Sequence, residues 1–123
     1  MILGIGCDLI EIPRIQKALG QKGFRERVYA EDEIEYCMRR GKAAVESFAA
    51  RFAAKEAFLK AMGTGLRDGK LFDIVTHNDE LGQPYIELRG FFAEQAGARG
   101  VKHISISLSH NKSTAMAVVI LEG

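Results

Sequence analysis

The chain begins with small, β-branched and apolar residues from Ile2 to Ile10. A period of two separates Leu3, Ile5, Cys7 and Leu9 from Ile2, Gly4, Gly6, Asp8 and Ile10. The pattern predicts a strand, with Asp8 on the face that carries two glycines. Glycines inside a strand mark a place where another segment or a ligand comes close to the backbone. Pro13 then suits the first turn of a helix, where its missing N–H costs nothing. Ile12, Ile15 and Leu19 give that helix a short apolar stripe, which Gly20 and Gly23 break. Residues 24–40 are charged and only briefly periodic, and they read as a helical connector. Within it Ala30, Glu31, Asp32 and Glu33 have the acidic character of a helix start.

The strongest helical signal runs from about Ala43 to Met62, where Val45, Phe48, Phe52, Leu59 and Met62 recur at helical steps and Gly63 ends the run. Beyond it the period returns to two. Phe72 to His77 and Pro84 to Leu88 form a hairpin across NDELGQ, Phe91 to Ala98 is a short helix, and Val101 to Ser109 with Thr114 to Leu121 form a second hairpin around HNKS. The expected class is α+β, with a small, mainly antiparallel sheet packed on one long central helix. At 123 residues the chain has room for one compact domain, 1–123.

A composition of 47% hydrophobic and 27% charged residues with two prolines fits a chain that buries a core and excludes extensive disorder. Seventeen basic and sixteen acidic residues leave a net charge of +1, so no global field recruits nucleic acid. Two cysteines, Cys7 and Cys37, lie outside any CxxC pair and read as reduced thiols. The opening MILGIGCDLIE lacks the basic start of a secretory signal. The longest apolar run, Ala115 to Leu121, is far shorter than the roughly 20 residues that span a bilayer. A cytoplasmic protein without nucleic-acid or membrane partners is expected.

The residues that stand out chemically are few. Phe52, Glu56 and Lys60 are four apart and share a face of the long helix, so a carboxylate and an ammonium stand beside an apolar residue. An ordinary Glu–Lys pair on a solvated helix face explains them equally well. Asp8 fits either a cap for the helix that follows or, with Glu56, a ligand of a hard cation such as Mg²⁺, which needs only one or two carboxylates besides water and phosphate oxygens. His110 falls by parity with Ile104, Ile106 and Leu108 rather than with the serines of ISISLSH. Gly63, Gly65 and Gly69 could approach phosphates, although a glycine after a helix is commonly its C-cap. Arg14, Lys17, Lys22, Arg25 and Arg27 make a local basic cluster, which is either a solvated face or a dock for an acidic partner.

Three segments, GIGCDLIEIPRI, FAARFAAKEAFLKAMGTG and ISLSHNKSTAMAVVI, together resemble the holo-[acyl carrier protein] synthase family of 4′-phosphopantetheinyl transferases over almost the whole chain. The resemblance implies the 4′-phosphopantetheinyl transferase fold. It also implies Mg²⁺-dependent transfer of the phosphopantetheine arm of coenzyme A to a serine of apo-acyl carrier protein, with release of adenosine 3′,5′-bisphosphate. Carried onto this sequence, it places Asp8 and Glu56 on the metal, makes Glu56 the base for the serine proton, directly or through a water, and sets Lys60 near the phosphates. It further assigns Arg51, Gly65 and His110 to coenzyme A, Arg14 with Arg25 to carrier docking, and the chain to a homotrimer with active sites between subunits. In that assembly His110 would come from a neighbouring chain. A non-catalytic module that binds coenzyme A or an acidic protein, and a metal-free acid–base enzyme using Glu56 and His110, are the competing readings.

Overall fold

A computed structural model describes every residue except Arg67. Strand β1 (Ile2–Glu11) leads directly into α1 (Ile12–Leu19), with Pro13 in its first turn as expected. The charged connector resolves into α2 (Phe24–Val28) and α3 (Glu31–Met38), and a 3-10 turn then leads into the central helix α4 (Ala44–Met62). The hairpin β2 (Ile74–Asn78) and β3 (Pro84–Leu88), helix α5 (Gly90–Ala98), and strands β4 (His103–His110) and β5 (Thr114–Glu122) complete the order. All strand pairs are antiparallel. They are distributed over two sheets, a three-stranded one in the order β1-β5-β4 and the separate ribbon β2-β3.

The larger sheet packs on α4 through its glycine face. An added Cβ at Gly6 would lie 1.9 Å from the Ala57 carbonyl oxygen, and one at Gly4 would lie 2.1 Å from that of Ala61. The bare strand therefore serves a helix rather than a ligand. On the helix side of this contact Ala49, Ala53, Ala57 and Ala61 are buried and small enough to allow it. Helix α4 is enclosed on most sides, because α3, the ribbon and α5 cover what the sheet leaves, and Phe48, Phe58, Leu59 and Met62 are all buried. This is why a single apolar stripe understated it. Tyr29 against Phe48 and Phe58 against Phe92 meet edge to face at 4.9 and 5.8 Å between ring centres. Gly63, in the left-handed conformation at φ 76°, ends α4 and donates to the Leu59 and Lys60 carbonyls.

The opposite face of the larger sheet is apolar across β1 and β5, carries serines on β4, and is uncovered in the single chain. Its rows read Ile5–Ile120–Ser105, Cys7–Val118–Ser107 and Leu9–Met116–Ser109 across the three strands. Ile5 is 64% exposed and Leu9 65%. Both cysteines are free, Cys7 exposed on this face and Cys37 buried, where burial pushes its thiol up to about 11. Among the described residues no helix is long and apolar enough to cross a membrane.

Because the strand meets backbone rather than a movable side chain, Gly6→Ala should separate β1 from α4 and lower stability by about 3 kcal/mol or more. Urea unfolding measures this directly. An unchanged midpoint with an unchanged slope would show that the close approach is not a structural requirement.

Candidate active site

Asp8 lies on the helix-facing side of β1, two residues beyond Gly6, and the close packing brings it over the last turns of α4. There Phe52, Glu56 and Lys60 form the least buried face of the helix. The Lys60 ammonium donates to Asp8 Oδ1 at 3.1 Å and to the Cys7 carbonyl at 3.1 Å. The expected helix pair with Glu56 is thus replaced by an ion pair between helix and strand. With Lys60 more than half exposed, that pair contributes at most about 1 kcal/mol, so its interest is chemical. Glu56 is half-buried. Burial, and then the Asp8 charge, raise its carboxyl above the ordinary glutamate range, while Lys60 opposes them.

A second group lies on another face of α4. Arg51 and Glu56 are five positions apart, roughly 140° around a helix, so they address different surroundings. Arg51 lines a cleft of about 430 Å³ with Tyr36, Arg40, Lys42, Asn78 and His110. The family resemblance named Arg51 and His110 and not the others, although the run Arg39, Arg40, Gly41, Lys42 before α4 is a basic signal in its own right. His110 stands opposite Ala115 on the helix-facing side of the sheet, as parity predicted. In the single chain it shares its cleft with Arg51 and not with Asp8 and Glu56. Asp8, Glu56 and Lys60 thus form one cluster and Arg51 with His110 another, each built beside a different face of α4.

Between these groups runs a buried ion pair that the sequence did not announce. Lys55, fully buried, donates to Glu33 Oε1 at 2.6 Å and to the carbonyls of Leu71 and Ile74. Glu33 also accepts from the Ala30 N–H and, through Oε2, from the Thr76 N–H, each at 3.0 Å. Burial lowers the proton affinity of Lys55, and Glu33 opposes that effect. Helices α3 and α4 and strand β2 are locked at this point, which fixes the residue next to Lys55, Glu56.

The remaining predicted positions are placed as follows. Gly65 is exposed just past the α4 cap with φ 67°. Arg14 is exposed on α1. Arg25, on α2, is half-buried, with its guanidinium over the Phe48 ring at 5.5 Å. A further group whose ligand atoms lie within 4.8 Å of one another, Asp32, His77 and Glu87, is already balanced by Arg89, which reaches Asp32 at 2.9 Å and Glu87 at 3.0 Å.

An acid pair with a lysine at a strand–helix contact, and a cationic cleft on the same helix, suit the handling of a phosphorylated substrate, and comparison with known proteins agrees. Residues 4–119 match the family model described as the 4′-phosphopantetheinyl transferase superfamily, and the chain belongs to that family. It is 46% identical over 123 residues to the holo-[acyl-carrier-protein] synthase of Treponema denticola, with both chains fully covered. The crystal structure of the corresponding synthase from Neisseria meningitidis has a TM-score of 0.90 at 34% identity, with full coverage of both chains. A Bacillus anthracis holo-(acyl-carrier-protein) synthase in complex with CoA (3′,5′-ADP) matches with a TM-score of 0.82 at 37% identity, over 98% of this chain and 96% of that one.

Removing one partner of the buried pair leaves an uncompensated charge. Lys55→Met should therefore cost about 3–5 kcal/mol, and the double change Lys55→Met with Glu33→Gln should recover part of that loss. Chemical unfolding of Lys55→Met, Glu33→Gln and the double variant checks this. Additive losses would show that the two residues do not act as a pair.

Proposed function

We propose that this chain transfers the 4′-phosphopantetheine arm of coenzyme A to a serine hydroxyl of apo-acyl carrier protein, releasing adenosine 3′,5′-bisphosphate and equipping the carrier for fatty acid biosynthesis. The observation that carries the reading is the meeting of Asp8, Glu56 and Lys60 at the β1–α4 contact, in a chain of this family whose relatives include synthases in complex with coenzyme A. Residues 1–123 would act as one transferase domain, in the cytoplasm.

Asp8 and Glu56 fit Mg²⁺ as a donor set. They are hard oxygen ligands, and the Asp8 charge makes that of Glu56 costlier, a conflict that a divalent cation relieves. Mg²⁺ bound there would neutralise the diphosphate oxygens of coenzyme A. Glu56 takes the serine proton, directly or through a water, and its raised proton affinity suits a base better than that of an ordinary glutamate does. Lys60, more than half exposed and held only by its weak contacts with Asp8 and the Cys7 carbonyl, turns to meet the phosphate of the departing nucleotide. Arg51 and His110 hold the 3′-phosphate or adenosine end in their cleft, and the backbone around Gly65 follows the phosphates past the end of α4.

A homotrimer with sites between subunits accounts for two further features. The uncovered rows of Ile5, Leu9, Val118 and Ile120 need a partner, and a second copy supplies one. Interface sites also allow Asp8, Glu56 and Lys60 of one copy to face the Arg51–His110 cleft of the next. Acidic carrier protein would dock through Arg14. Beside the basic cluster an apolar cleft of about 570 Å³, lined by Phe24, Phe52, Leu66 and Leu71, is open to the carrier's apolar side chains. Arg25, laid against Phe48, extends this surface more by its shape than by its charge.

Incubation of apo-carrier protein with coenzyme A, Mg²⁺ and this protein should add the phosphopantetheine mass. Chelation, Asp8→Asn or Glu56→Gln should each prevent most of the gain. Transfer that survives chelation would favour the metal-free reading, and a bound but unmodified carrier the non-catalytic one. The pH response gives an independent check. Glu56 binds its proton more tightly folded than unfolded, so the folded chain holds more protons as Glu56 titrates, and stability falls as pH rises through that range. Glu56→Gln should therefore raise the Tm of the metal-free protein at neutral pH while abolishing transfer.

Arg14→Glu should raise KM for the carrier about tenfold at low salt while leaving KM for coenzyme A unchanged, and the difference should shrink as salt screens the exposed charge. A carrier KM that is unaltered at every salt concentration would return Arg14 to a plain solvated position.

A further inference from the structure

Arg51 is 3% exposed, and among the described residues no carboxylate lies within 4.0 Å of its guanidinium, the carboxylate of Glu46 lining the same cleft without pairing with it. A buried charge in that condition calls for an anion. Two neighbours hold the group without neutralising it. Its Nη2 donates to Asn78 Oδ1, and the ring of Tyr36 lies beneath it, 4.3 Å from the guanidinium carbon to the ring centre. Asn78 is itself fixed, because its Nδ2 donates to the Gly82 carbonyl at 3.0 Å, so its amide cannot turn over without losing both bonds. The Gly82 turn is rigid in turn. Asp79 Oδ1 accepts from the N–H groups of Leu81 and Gln83 at 2.9 Å, and Gly82 N donates to the Asp79 carbonyl at 3.0 Å. The Arg51 Nε–H, buried and without a partner among the described residues, remains for a ligand.

We infer that Asn78 and Tyr36 are positioning residues that hold Arg51 for a phosphomonoester, and that together they set the preference for a donor carrying a 3′-phosphate over its dephosphorylated form. The inference rests on the reading of the cleft as the nucleotide site. The type of residue at 78 matters. A neutral amide orients the guanidinium and leaves its charge unspent, whereas a carboxylate at the same place would take the role of the ligand.

Steady-state kinetics of the full chain with coenzyme A and with 3′-dephospho-coenzyme A, at saturating apo-carrier protein, tests this. Asn78→Asp should raise KM for coenzyme A roughly tenfold or more, the scale of one hydrogen bond to a charged group, with kcat and the KM for the dephosphorylated donor unchanged. Tyr36→Leu should move the same ratio in the same direction, and Tyr36→Phe, which keeps the ring, should restore it. Equal effects on both donors, or a fall in kcat alone, would reduce both residues to structural roles and overturn the inference. Arg51→Ala separates the two levels. If it erases discrimination between the donors and Asn78→Asp does not, the inference fails alone. If Arg51→Ala leaves discrimination intact, the assignment of the cleft fails and the inference falls with it.

Discussion

The contact of two bare strand positions with helix backbone governs this molecule. Gly4 and Gly6 lie against the carbonyl oxygens of Ala61 and Ala57 at a separation that excludes any side chain, and that separation sets the depth at which β1 lies on α4. Asp8 continues the same face of the same strand. Its distance from the last turn of the helix is therefore inherited from packing and not from the ion pair with Lys60, which is too exposed to enforce it. The meeting of Asp8 with Lys60 is pre-positioned by an apolar joint between rigid elements.

The buried Lys55–Glu33 pair has the complementary task. Hydrophobic packing alone would let α4 rotate or slide by small steps, because alanines offer few features to lock against. A charged group that finds one carboxylate and two carbonyls, and a carboxylate that reaches two backbone N–H groups, admit a single arrangement. Desolvation makes such a pair a poor source of net stability, so its contribution is to definition of register. Lys55 stands beside Glu56 and one helical turn from Arg51, so both clusters of α4 depend on that register. Helix α3 contributes to each, through Glu33 under Lys55 and Tyr36 under Arg51.

Much of this was legible in the residues. Period-two parity placed Asp8 with the glycines and His110 with Ile104, Ile106 and Leu108, and the pairing register agrees. Helical spacing put Glu56 and Lys60 on the exposed side of α4. What stayed hidden was long-range partnership. Glu33 read as an acid in a first helical turn, a place where carboxylates are ordinarily solvated, and nothing local reveals that Lys55 meets it from 22 positions away. Asn78 read as part of a turn, whereas it is the last residue of β2, and only the fold shows that its amide faces Arg51. The enclosure of α4 likewise escaped periodicity, since a helix covered on most sides has no stripe to display.

Strand β5 lies between β1 and β4, and it follows both of them in sequence. Asp8 is paired opposite Ala117, about a hundred residues further on. On the ribosome, β1 therefore emerges early and remains without its sheet partner until almost everything else has been delivered, carrying the exposed Ile5 and Leu9 meanwhile. Asp8 and Glu56 both precede β5, so a product truncated before β5 would carry the two carboxylates while β1 lacked its sheet partner.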